Sequence, residues 1–138
     1  MQRSADPMAL VVEGLNKSYG ALVVARDVGF RVPAGSALGV IGPNGAGKTT
    51  LFNLITGTTR ADSGRISLFG QEISTLDTRR RCVAGIARSF QVPQPFGGLT
   101  VFENALIAAA FGRSLSERAA RPHAVSYTHL TLPTSDLV

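Results

Sequence analysis

The stretch GPNGAGKTT, residues 42–50, sets glycines around a lysine and two threonines. It fits the spacing G-x-x-x-x-G-K-[ST] through Gly42, Gly47, Lys48 and Thr49. Each residue type suits the holding of phosphate. Glycines let the backbone turn so that successive N–H groups face inward around an anion. Pro43, Asn44, Gly45 and Ala46 complete the loop between the two outer glycines. A helix that begins at Lys48 adds unpaired amino-terminal donors and the positive end of its dipole. The Lys48 ammonium then reaches the β- and γ-phosphate oxygens, and the Thr49 hydroxyl ligates Mg2+, with Thr50 beside it in the same turn. The expected ligand is ATP with Mg2+.

Such a loop must hang between a buried strand and a helix, and the flanking sequence predicts both. Residues 36–41, SALGVI, are a mostly apolar run suited to a buried strand. Residues 48–56 read as a helix stopped by Gly57. Ahead of the loop, residues 9–13, 15–19, 21–25 and 28–32 read as short, antiparallel-looking strands. Behind it, residues 64–70 and 86–91 read as strands, and residues 74–85 as a short helix with Ser74 or Thr75 as its cap. Thr100 and Glu103 form a capping-box pattern before the apolar stretch that ends at Gly112. Residues 113–122 are expected to add one more polar turn or helix. No internal repeat is visible.

Composition bounds the rest. A chain of 138 residues with 44% hydrophobic content buries the core of one domain, or of part of a larger one. The formal charge of +5 is scattered apart from Arg79, Arg80 and Arg81, a cluster expected to be a solvated helix face, so nucleic acid is not the expected partner. One cysteine, Cys82, excludes an internal disulfide and a cysteine-rich zinc site. No apolar run approaches 18 residues, so any membrane role is expected to pass through a partner rather than by insertion.

Three further stretches narrow the field: Tyr19 at a strand end before the loop, GTTRADSGRISLFGQEIS at 57–74, and GIARSFQVPQPFGGLTVFENALIAA at 85–109. Together these resemble the ATP-binding subunits of ABC transporters, and the third is most similar to the branched-chain amino-acid importers. The resemblance runs from about Leu10 to Gly112. It implies an α/β fold with a P-loop NTPase core of the ABC ATPase type and an N-terminal antiparallel β subdomain. By that resemblance Tyr19 stacks on adenine, and Gln91 reaches Mg2+ and the attacking water. The loop at 92–99, with Phe96 and Leu99, touches the transport subunit. The implied partners are transmembrane permease subunits and a second ATP-binding subunit, at the cytoplasmic face of the membrane. A soluble ABC protein of translation or DNA repair, or a stand-alone nucleotide-binding module, are the rival readings.

The family's later motifs are not matched. No apolar strand leads into Asp-Glu, residues 114–118 lack the glycines of the serine-glycine-glycine signature, and neither His123 nor His129 can be assigned the switch role. The resemblance therefore implies truncation at the start of the helical subdomain, with residues 1–124 the N-terminal part of an ATP-binding domain unable to turn over ATP alone. Residues 125–138, VSYTHLTLPTSDLV, break with the preceding composition. Residues 125–134 are what DNA resembling a sequencing-library transposase adapter encodes, so the tail is expected to be non-native; a short Thr-rich strand or a family-specific ending is the other reading.

Overall fold

A computed structural model of the chain describes residues 7–90, 92, 94–112 and 115–128. The chain divides between Ala84 and Gly85 into two compact units. In the first, two long strands, β1 (Met8–Tyr19) and β2 (Leu22–Pro33), pair antiparallel and merge the four short strands expected there. Strand β3 (Ser63–Leu68) takes the other side of β1, and the two-residue β4 (Gln71–Glu72) closes the order β2-β1-β3-β4. All three pairings are antiparallel. Phe69 and Gly70, both at positive φ (46° and 81°), make the two-residue loop between β3 and β4, the pattern of a type I′ turn.

Val12 and Leu15 are both buried, although three residues along a regular strand lie on opposite faces. A register shift between them, at Gly14 with φ 56°, inserts the extra residue that turns Leu15 inward. Ile66, across the ladder from Val12, joins Ala25, Leu54 and Ile73 among the buried apolar residues of this unit. Burying a Leu, Ile or Val side chain fully stabilises by roughly 1.5–3 kcal/mol.

Two helices complete the first unit. Helix α1 (Lys48–Thr56) starts where expected and ends at Gly57, whose φ of 80° is the left-handed cap conformation. Helix α2 (Thr78–Ala84) is shorter than predicted. Its cap is Asp77, whose Oδ1 accepts the Arg80 N–H at 2.8 Å; Ser74 instead accepts the Ile66 N–H through Oγ at 2.8 Å. The expectation of a solvated arginine face fails at Arg81, which is only 3% exposed. Its Nη1 donates to the carbonyls of Leu54 and Ile55 (2.7 and 2.9 Å), Nη2 to Ser74 (2.8 Å) and Nε to Leu76 (2.9 Å). Burial pushes its pKa down.

The strand expected at 36–41 is not formed. These residues stand outside the sheet, and Ile41 is 98% exposed. The Ser36 N–H and Oγ both donate to the nearby Pro33 carbonyl. Apolar composition favours a strand only where a neighbour supplies ladder bonds, and among the described residues none of the four strands pairs with this segment. Residues 86–90 likewise carry no strand.

The second unit packs helix α3 (Val101–Gly112) on helix α4 (Glu117–Thr128). The predicted capping box is formed: Glu103 Oε2 accepts the Thr100 N–H at 2.7 Å and hydroxyl at 2.8 Å, and Thr100 Oγ1 accepts the Glu103 N–H at 3.2 Å. Helix α4 continues through Pro122, which has no N–H to give, and through Val125 to Thr128. Ala120 and Ala124, one turn apart and on either side of the proline, are fully buried, so packing overrides the helix break.

The capping box sets a pH dependence. The Thr100 backbone bond, then its hydroxyl bond, hold the Glu103 carboxyl below its ordinary value of 4.5. A carboxyl lowered on folding stabilises above its unfolded pKa, and that contribution is lost as pH falls through the folded value. Helix content by far-UV circular dichroism should therefore fall on the acid side of pH 4.5, and Glu103→Gln should flatten that part of the profile.

Candidate nucleotide site

The loop of residues 42–47 has the backbone that the glycine pattern predicts. Gly45 and Gly47 take φ of 83° and 82°, where a side chain is strained. A Cβ on Gly47 would also lie 2.7 Å from the Val24 carbonyl oxygen, so glycine is required for the loop to lie against β2. The Ala46 N–H closes the turn onto the Pro43 carbonyl at 3.2 Å.

Gly47 is the N-cap of α1 and supplies no side-chain cap. The Leu51 N–H bonds the Gly47 carbonyl at 2.8 Å, so the amides of Lys48, Thr49 and Thr50 precede the helical ladder. That is the donor set an anion needs. Lys48 Nζ donates to the Gly42 carbonyl at 2.5 Å and to the Pro43 carbonyl at 2.6 Å, which folds the ammonium back over the loop. Thr49 stands exposed in the first helical turn. Beneath the loop lies a cavity of about 110 Å³ lined by residues of β2, the 40–41 segment and α1, including Val28, Val40 and Leu51. The glycine cradle, the amides before the ladder and the free hydroxyl position fit a nucleotide triphosphate with its cation.

Tyr19 ends β1 and pairs with Leu22 across the two-residue loop of Gly20 and Ala21. It is 51% exposed. Val24, against which Gly47 packs, lies two residues further along β2, about 7 Å of strand. Strand β2 thus brings the aromatic ring and the phosphate loop to the same end of the hairpin. Gln91 lies outside the described residues. Among the described residues no group of three or more His, Cys, Asp or Glu could hold a metal, and no helix is long and apolar enough to cross a membrane.

Sequence reasoning missed the bonds that tie the two residues before Tyr19 to Asp62. Asp62 Oδ1 receives a bond from Lys17 Nζ at 2.6 Å, and Oδ2 one from the Ser18 N–H at 2.7 Å. The Lys17 bond first, then the Ser18 amide, lower the Asp62 pKa. No local signal marks these partners, which are more than forty residues apart in sequence.

In the second unit, Asn104 secures the loop before α3. Its Oδ1 accepts the Phe96 N–H at 2.9 Å, and its Nδ2 donates to the carbonyls of Phe96, Leu99 and Thr100 at 3.0–3.3 Å. Phe96 and Leu99 remain exposed.

A glycine-built phosphate loop at the head of a helix, joined to an antiparallel β layer, defines the P-loop fold of ABC ATPases. The chain belongs to the ABC transporter family, whose profile matches residues 25–134. It is similar to a "Probable ABC transporter ATP-binding protein" of Azorhizobium caulinodans, with 47% identity over 96 residues, 70% of this chain and 34% of that one. A "Sulfate/thiosulfate import ATP-binding protein CysA 1" of Chromobacterium violaceum is 34% identical over 131 residues, 95% of this chain and 35% of its own. A "Probable branched-chain amino acid transport ATP-binding protein LivG" of Archaeoglobus fulgidus is 41% identical over 99 residues, 72% and 38%. Among solved structures, a nucleotide-free ATP-binding cassette from an ABC transporter superposes with a TM-score of 0.67 at 32% identity, covering 94% of this chain and 49% of that one. The chain thus spans 34–38% of the length of these three relatives.

Proposed function

We propose that the chain is the nucleotide-binding part of an ABC transporter ATPase subunit, which takes up ATP with Mg2+ so that hydrolysis in the whole protein drives solute transport. The observation that carries this reading is the loop around Lys48: two glycines at positive φ, one of them against β2, followed by helix amides that precede the ladder. The backbone of residues 42–47 wraps the phosphates, with Pro43, Asn44 and Ala46 shaping the turn between the glycines. Lys48 exchanges its bonds to the Gly42 and Pro43 carbonyls for phosphate oxygens, Thr49 ligates Mg2+, and Thr50 lines the same turn. Tyr19 stacks on the adenine, and Gln91 serves Mg2+ and the attacking water.

In the whole protein two such subunits pair and act on transmembrane permease subunits at the cytoplasmic face of the membrane. The exposed Phe96 and Leu99, on a loop secured by Asn104, suit that contact. Amino-acid import is the finer reading, supported by the stretch at 85–109 and by the 41% identity to the Archaeoglobus protein. The 34% identity to a sulfate/thiosulfate importer over 95% of the chain supports a part shared by importers of different solutes.

Calorimetric titration of the chain with Mg-ATP tests the nucleotide reading, and binding is expected. A titration without heat, repeated by equilibrium dialysis without uptake, would remove it. Co-purification of the whole protein with a membrane permease, rather than with ribosomes or DNA, tests the transport reading.

A further inference from the structure

We propose that Asp62 is a positioning residue for the nucleotide base, holding Tyr19 in place through Lys17 and the Ser18 amide. The inference rests on the adenine-stacking reading of Tyr19 and gives Asp62, within the stretch 57–74, a role that the sequence reading did not assign. Tyr19 ends a strand beside a two-residue turn, where a half-exposed ring is free to swing unless something outside the hairpin restrains it.

The segment just before β3 supplies that restraint. The two carboxylate oxygens of Asp62 take one bond each from Lys17 Nζ (2.6 Å) and the Ser18 N–H (2.7 Å). The Asp62 N–H in turn donates to the Asn16 carbonyl at 3.0 Å. Asn16 Nδ2 reaches Ser63 Oγ at 3.1 Å, and its Oδ1 accepts the Asp27 N–H from β2 at 2.8 Å. Three consecutive residues of β1 are therefore tied to one short segment immediately before the tyrosine.

The approach is close enough to require Gly64, where a Cβ would come within 2.5 Å of the Gly14 carbonyl oxygen. The Lys17 side chain is largely covered, at 15% exposed, and its ammonium lies 5.2 Å from the Tyr19 ring centroid. That distance is inside the range of a cation–π contact. Lys17 occupies one face of the ring, which leaves the opposite face for a planar base. An exposed ion pair contributes little to stability by itself, so its consequence here is geometric.

The consequence is separable from phosphate binding. Mg-ATP and Mg-tripolyphosphate share the phosphate chain, but only ATP has a base. Titrations of the 138-residue chain and its variants should show Tyr19→Ala weakening ATP about tenfold, the scale of one base stacked on an aromatic ring. Asp62→Asn and Lys17→Met should each weaken ATP about three- to fivefold, as loss of an exposed cation–π restraint allows. Tripolyphosphate binding should stay within about twofold throughout, since the loop around Lys48 is untouched. Asp62→Glu, which keeps both acceptors, should recover most of the ATP affinity, and circular dichroism matching the wild type shows that each variant is folded.

The outcomes separate the two ideas. ATP affinity that falls for Tyr19→Ala but not for Asp62→Asn or Lys17→Met overturns the positioning role and leaves the nucleotide reading standing. A parallel loss of ATP and tripolyphosphate, or a disordered Asp62→Asn spectrum with Asp62→Glu unrescued, assigns Asp62 to the general fold and also overturns it. Wild-type chain that binds neither ligand removes the nucleotide reading itself.

Discussion

Replacing Lys48 by alanine should lower the affinity for Mg-ATP by about a hundredfold. The ammonium makes two short bonds to loop carbonyls, 2.5 Å to Gly42 and 2.6 Å to Pro43. A triphosphate offers the same donor charged acceptors in exchange. Hydrogen bonds to charged groups contribute about 1.5–3 kcal/mol each, and loss of two amounts to about 3 kcal/mol or more. At about 1.4 kcal/mol per decade, that is about two orders of magnitude. The alanine also removes the tether that draws residues 42 and 43 over the helix start, so the loop loses preorganisation as well as charge. Arginine should restore little, because its planar fork does not replace a compact ammonium held within a tight turn. Titration of the variant against wild type reads the effect directly. Equal affinities would take Lys48 out of the site and weaken the case for the whole loop.

The second large effect is on stability, and it falls on a residue remote from any motif. Arg81→Met should destabilise the first unit by about 3 kcal/mol or more, because buried acceptors left without a donor cost about 1–3 kcal/mol apiece. The guanidinium joins four main-chain carbonyls, those of Leu54, Ile55, Ser74 and Leu76, across two helices and the segment after β4. Two of these belong to the last turn of α1, which has no basic residue of its own to meet its orphan carbonyls. Gly57 is shaped to the same group: a Cβ there would stand 3.0 Å from Arg81 Nε. For a unit of this size the loss lowers Tm by on the order of 10 °C or more. Arg81→Lys keeps the charge but lacks the fork, so it should fall between methionine and wild type. A lysine variant as stable as wild type would show that charge alone suffices and that the four-way geometry is incidental.

The two effects act at opposite ends of one helix. Lys48 opens α1 at the glycine loop, and Arg81 closes its other end inside the protein. The destabilised Arg81→Met protein should therefore also bind ATP less tightly, whereas Lys48→Ala should leave the melting temperature of the unliganded chain nearly unchanged.

What the sequence alone determined is what neighbouring residues decide among themselves. The phosphate loop was legible because Gly45 and Gly47 meet a backbone requirement at their own positions, and the helix beginning at Lys48 follows within one turn. The capping box of Thr100 and Glu103 and the stop at Gly57 were legible for the same reason. Distant partners decided the rest. The run at 36–41 has the composition of a buried strand, but a strand exists only where a second one completes its ladder, and none of the four strands does so here. Arg81 looks like its neighbours Arg79 and Arg80; only the carbonyls of α1, 26 and 27 residues away, make it a core residue. Asp62 and Lys17 are ordinary surface residues until the register of β3 on β1 places one against the other. Backbone conformation at a glycine is a local property, whereas the partner of a charged side chain is set by which strands and helices come to lie side by side, and that was decided by the tertiary structure alone.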